Sequence, residues 1–230
     1  MAHDATWTPT REVGRKFYAD GTARRFPGNT IICFVDPESP LGQAASAFQA
    51  ALHAQPWGAK FALLPPSSFH MTVMDLLCDQ VRVAERWSPH LPLDAPLPAT
   101  DAFFLERVPA VPLPTLRTMR VDSIYTGFGL MLMLEPTDAA TEAALRGYRD
   151  AIASATGVRH PDHNSYGFHM SLGYRLYALD AAETASLTAL CAAWAPQLRD
   201  AGATLALPPP VLCSFADMTA FVPLTATSGA

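Results

Sequence analysis

Phe69-His70-Met71-Thr72-Val73 returns later in the chain as Phe168-His169-Met170-Ser171-Leu172. Alternate residues of a strand share a face. His70 and Thr72 then stand on one side, and Phe69, Met71 and Val73 on the other. His169 and Ser171 are set in the same way against Phe168, Met170 and Leu172. Two such strands, brought together across an internal two-fold, offer two imidazoles and two hydroxyls to one small cleft. Imidazole has an unperturbed pKa near neutrality, so one ring can take a proton while another gives one. The set suits acid/base chemistry on a phosphate.

Outward from the two motifs the chain mixes helices with short strands. Gly14 to Gly28 reads as a hairpin around the tight-turn pair Asp20-Gly21. Thr30 to Val35 is apolar and β-branched, a buried strand, and alanine-rich Leu41 to Ala54 is a helix. Phe61 to Leu64 is a short strand stopped by Pro65-Pro66, ahead of the first motif strand, Phe69 to Leu77. Gln80 to Trp87 is expected to form a charged helix and Ala99 to Arg107 another, with proline-rich Val108 to Pro114 as a hinge. Leu116 to Ile124 and Gly129 to Glu135 are strands. Asp138 to Ala155 is a helix capped by Asp138, with Leu145, Tyr148 and Ile152 on one face. After a polar loop from Arg159 to Gly167 comes the second motif strand, Phe168 to Leu176. A helix capped by Asp180 and three short strands finish the chain.

This pattern predicts an α+β protein, helices layered on antiparallel sheets. The 230 residues, half of them apolar, read as one bilobal domain with approximate lobes 28–107 and 115–224. The net charge of −5 lacks the basic excess of a protein that grips duplex nucleic acid. A small anionic substrate or an RNA end fits better. Basic residues do collect at Arg11, Arg15, Lys16, Arg24 and Arg25, either a solvated surface or a rim that steers phosphate. Cys33, Cys78, Cys191 and Cys213 form no C-x-x-C pair and read as reduced, mostly buried thiols of a cytoplasmic protein. The opening MAHDATWTPT has no apolar leader, and the longest apolar run, Phe128 to Leu134, is too short to span a membrane.

Paired H-x-[TS]-x motifs, one in each half of the chain, resemble the two-histidine (2H) phosphoesterase superfamily. Its members include RNA 2′,3′-cyclic phosphodiesterases and 2′,5′-oligoadenylate phosphodiesterases. GRKFYADGTARRFPGNTIICFVDP and PPSSFHMTV resemble a bacterial and fungal branch whose function is undefined. The resemblance implies a bilobal, pseudo-two-fold fold with the motifs facing each other in a central cleft. It carries over His70, Thr72, His169 and Ser171 as the active-site set, with no cofactor and no required metal. The expected activity is metal-independent hydrolysis of a cyclic phosphate, by a monomer acting on a small nucleotide or an RNA end.

The alternatives are a nucleotide or phospho-ligand binder without turnover, a 2′,5′-phosphodiesterase or ligase of the same superfamily, and a metallohydrolase. Thr72 and Ser171 would donate to non-bridging phosphate oxygens. Continued alternation puts Arg175 on the His169 face, past a Gly173 that leaves room for ligand. Arg120 lies on the polar side of its strand, and either arginine is a candidate for bidentate phosphate binding. Tyr166, in the loop before the second motif, is a candidate to stack on a base. Phe69 and Phe168 pack behind the site. His160-Pro161-Asp162-His163 offers potential metal ligands, but not at a standard zinc spacing.

Overall fold

The computed structural model describes residues 7–225. The first residues of the opening segment, and with them part of the stretch read as lacking a leader, lie outside. The described strands are β1 (Gly28–Phe34), β2 (Phe61–Leu63), β3 (His70–Cys78), β4 (Thr118–Tyr125), β5 (Gly129–Pro136), β6 (His169–Arg175), β7 (Leu205–Ala206), β8 (Val211–Asp217) and β9 (Ala220–Pro223). The helices are α1 (Pro40–His53), α2 (Leu97–Arg107), α3 (Ala139–Thr156) and α4 (Ala181–Ala201). Capping chemistry starts three of them in the sequence's own terms. Ser39 and Asp138 accept backbone N–H groups of α1 and α3, and Asp180 with Glu183 forms a capping box on α4. Gly157 ends α3 at φ +71°, a conformation that costs glycine nothing.

All strands join one antiparallel sheet in the order β7-β4-β5-β6-β3-β1-β8-β9, with β2 pairing β6. The two motif strands, β3 and β6, are therefore neighbours at its centre. The sheet does not divide at the proline-rich hinge. C-terminal β8 pairs β1, and β2 of the first half pairs β6 of the second, so each half of the sheet is completed by the other half of the chain.

The halves repeat with an offset of 99 residues. His70 pairs with Phe34 and His169 with Met133, while Thr72 pairs with Ile32 and Ser171 with Met131. The Val35 amide donates to the Phe69 carbonyl and the Leu134 amide to the Phe168 carbonyl, each at 2.9 Å. Each motif strand also carries a bulge at the same point. Pairing jumps from Thr72 to Met74 on β3 and from Ser171 to Gly173 on β6, leaving Val73 and Leu172 as the extra residues.

Phe69, Met71, Val73, Phe168, Met170 and Leu172 are all buried in the main core. A smaller core of Phe17, Phe26, Ala62, Leu64, Tyr174 and Leu176 lies beneath the N-terminal segment. The expected hairpin is present in a short form: Phe17 and Ala23 form an antiparallel bridge across the Asp20-Gly21 turn, the Tyr18 amide donates to the Thr22 carbonyl and the Arg24 amide to the Lys16 carbonyl, and the buried Phe17 ring pins it. Gln80 to Trp87, by contrast, is not a regular helix. Only Ala84–Arg86 forms a single 3-10 turn, because Arg82 instead ties Asp79 to the carbonyls of Leu93 and Ala95. Among the described residues, no helix is long and apolar enough to cross a membrane.

Candidate active site

Met71 pairs with Met170 across the central axis. Continuing that antiparallel register sets His70 opposite Ser171 and Thr72 opposite His169. Each histidine is thus the cross-strand neighbour of the other motif's hydroxyl, and all four stand on the face opposite the methionines. Directly opposed side chains have Cβ atoms about 5 Å apart, so the four make a compact square.

Local backbone fixes both rings in the same way. His70 Nδ1 donates to the Ser68 carbonyl at 2.6 Å, and His169 Nδ1 to the Gly167 carbonyl at 2.9 Å. A carbonyl only accepts, so a neutral ring at either place holds its proton on Nδ1 and keeps the Nε2 lone pair for chemistry. The environments of the two rings differ. His70 is 9 % exposed and lies under the Phe221 ring, with centroids 4.2 Å apart. His169 is half-buried, with Tyr166 at 5.9 Å. Burial lowers the His70 pKa to about 4, against the opposing effect of the Ser68 hydrogen bond, and the nearby His169 charge lowers it further.

The bulges are held by polar side chains from the helices. Gln49 of α1, 6 % exposed, donates through its amide nitrogen to the carbonyls of Leu172 at 2.7 Å and Leu64 at 2.8 Å. Arg149 of α3, 3 % exposed, donates to the carbonyls of Val73 and His163. Each helix thus secures the bulge in the opposite half's motif strand. Sequence reasoning missed both residues. The available signal was a polar side chain on an apolar stripe, Gln49 between Phe48 and Leu52, and Arg149 between Tyr148 and Ile152.

The substrate-binding candidates fare less well. The bulge at Leu172 reverses the alternation, so Arg175 leaves the His169 face. It pairs with Phe61, whose ring belongs to the main core. Gly173 makes room for β2 rather than for ligand, since a Cβ there would lie 2.8 Å from the Ala62 carbonyl oxygen. Arg120 lies beyond β5 from the motif strands and pairs with Glu135 at 2.9 Å. Tyr166 is buried between Phe168 and Arg149, so it has no free face for a base.

In the 160–163 loop, His160 Nε2 donates to the Leu76 carbonyl at 3.0 Å, and His163 Nε2 meets Asp150 at 3.0 Å. The two rings serve different partners. No group of three potential metal ligands forms among the described residues. The four cysteines are unpaired, and burial pushes the Cys33 and Cys213 thiols up to about 12.

Two histidine–hydroxyl strands related by a pseudo-two-fold in one antiparallel sheet define a class of protein, and comparison with known proteins agrees. Residues 16–127, which include the first motif, match a family model described as 2H-phosphodiest, a domain of unknown function (DUF1868). A conserved protein of unknown function from Agrobacterium tumefaciens, known from its crystal structure, is 30 % identical. The likeness covers 96 % of this chain and 93 % of that one, with a TM-score of 0.87. The Thermus thermophilus protein TT0787 is 15 % identical over 83 % of this chain and 87 % of its own, with a TM-score of 0.40, a likeness too weak to build on. No curated protein matched. The chain belongs to the 2H phosphoesterase superfamily, in the branch marked by that domain of unknown function.

Proposed function

We propose that the protein is a phosphodiesterase that opens a cyclic phosphate by paired-histidine acid/base catalysis. The observation that carries this reading is the square of two imidazoles and two hydroxyls on one face of β3 and β6. His70, kept neutral by burial, is the base. Its Nε2 takes a proton from water as the water oxygen bonds to phosphorus. His169, in contact with solvent, is the acid. It gives a proton to the ester oxygen as the P–O bond breaks, and a phosphate monoester leaves. Thr72 and Ser171 donate to the non-bridging oxygens, where charge grows in the transition state. The acidic balance of the chain favours a nucleotide or a single-stranded end over a duplex.

The test is turnover of 2′,3′-cyclic mononucleotides in EDTA by wild type and by the His70→Ala and His169→Ala variants. Each substitution is expected to lower kcat by about 10²- to 10⁴-fold, the usual contribution of one proton-transfer group. Turnover that survives both substitutions, or that EDTA abolishes in the wild type, would overturn the mechanism.

A further inference from the structure

One cavity of this acidic protein is rich in cations. It has a volume of about 620 Å³, and its lining includes Arg11, Arg15, Lys16 and Arg86 against only two carboxylates, Asp75 and Asp162. No motif residue lines it, and Asp75 is its link to the motif face. Past the bulge at Val73, Asp75 returns to the side of His70 and Thr72, and its charge acts on the His70 ring. Asp75 lies three steps along the strand from Thr72, about 10 Å.

The three N-terminal cations are held in place. Thr10 donates its amide to the Leu176 carbonyl and its hydroxyl to the Arg175 carbonyl, and Phe17 is buried. Glu12, 1 % exposed, pairs with Arg11 at 2.9 Å and Arg15 at 3.4 Å, which fixes their positions. A guanidinium has five N–H donors, so one carboxylate contact leaves others for an anion. Lys16 lies over the Tyr174 ring at 4.4 Å and donates to its hydroxyl. Among the described residues it has no carboxylate partner within ion-pair distance. A merely solvated basic surface needs neither the buried anchor nor the convergence on one cavity.

We propose that this cavity is a second anion subsite, which binds a phosphate of the substrate other than the one being opened. The inference rests on the phosphodiesterase reading and narrows it. The preferred substrate is a nucleoside cyclic phosphate that carries a further phosphate within one nucleotide unit, either a 5′-phosphate or the internucleotide phosphate of a chain end.

Two measurements test it. The first compares kcat/KM for adenosine 2′,3′-cyclic phosphate, its 5′-phosphorylated form and an adenosine dinucleotide ending in a cyclic phosphate. A second phosphate is expected to raise kcat/KM by about 10- to 100-fold, the effect of one or two charge-assisted hydrogen bonds. The ratio should collapse towards one in Lys16→Gln and Arg15→Gln. A gain with only one of the two phosphorylated substrates would identify the source, free nucleotide or chain end. The second measurement is calorimetric binding of adenosine 3′,5′-bisphosphate against adenosine 3′-phosphate, which needs no turnover. Tighter binding of the bisphosphate, lost in Lys16→Gln, supports the subsite even if no cyclic phosphate is hydrolysed; that outcome would sink the catalytic reading alone. Equal affinities, or a bisphosphate advantage that both substitutions leave intact, would overturn the subsite.

Discussion

Replacing Gln49 by leucine tests whether the bulges are built structures. The substitution keeps the side chain's approximate size and removes both donors. The Leu172 carbonyl keeps a second partner, the Leu64 amide at 2.9 Å, but the Leu64 carbonyl loses the Gln49 amide in a buried place. Two hydrogen bonds of about 1 kcal/mol each are lost, and one desolvated acceptor costs about 1–3 kcal/mol more. The new methyl groups return about 1–2 kcal/mol of burial. The net loss is about 2–3 kcal/mol. For a chain of this size 1 kcal/mol moves Tm by about 2–4 °C, so Gln49→Leu should melt about 5–10 °C below wild type by circular dichroism at neutral pH. Gln49→Glu should fare worse, because a carboxylate would face two carbonyl oxygens. A Gln49→Leu protein melting within 1–2 °C of wild type would refute the reasoning, and with it the view that the helix side chain secures the β6 bulge.

Two further outcomes concern His70. In the unfolded chain its pKa returns to 6.5, against about 4 when folded, so the unfolded state takes up the proton first as pH falls. This contribution to stability is intact above pH 6.5 and is lost between about 6.5 and 4, to a total of about 3 kcal/mol. Burial lowers His160 and His163 as well, adding to the same acid sensitivity. Urea unfolding across this range should show a shallower pH slope in His70→Asn, whose amide can still donate to the Ser68 carbonyl; equal slopes would discard the assignment. Phe221→Ala uncovers the His70 ring, so its pKa should climb from about 4 towards the ordinary histidine value of 6.5. The acid limb of the kcat/KM profile should move with it, and a limb that stays in place would separate Phe221 from the tuning of His70.

The helices and most strands were legible because their signals are local. Asp138 and Asp180 announce helix starts, apolar stripes mark α1 and α3, and the repeated F-H-M marks the two central strands. The bulges were not legible. Val73 and Leu172 are ordinary apolar strand residues, and what makes each bulge tenable is a donor from a helix that the opposite half of the chain supplies. Alternation counted straight through Leu172 therefore carried Arg175 to the wrong face and gave Gly173 a ligand in place of β2. The Gln80 to Trp87 segment failed for another reason. Eight residues are too few to hold a helix without tertiary support, and Arg82 finds better partners across the loop.

An internal repeat builds two equivalent histidines, but hydrolysis of the kind proposed needs two unequal ones, one neutral and one charged. The motifs themselves supply no difference, since each ring is fixed by the carbonyl two residues before it. The difference comes from the way the ends of the chain finish the sheet. The chain returns at its C-terminus to add β8 and β9 beside β1, and Phe221 of β9 comes to lie over His70. The ring beside His169 is Tyr166, 5.9 Å away and from the loop that leads into β6, and it leaves that histidine half-buried. At the N-terminus, residues before β1 fold onto the Tyr174 end of β6 and bring Lys16 to the cation-lined cavity. Duplication makes the square of histidines and hydroxyls, and the segments outside the repeat give its corners different surroundings. A symmetric two-motif core would bind a phosphate in two equivalent ways; under the proposed mechanism, a buried base on one side and an anion subsite along the same face would choose between them.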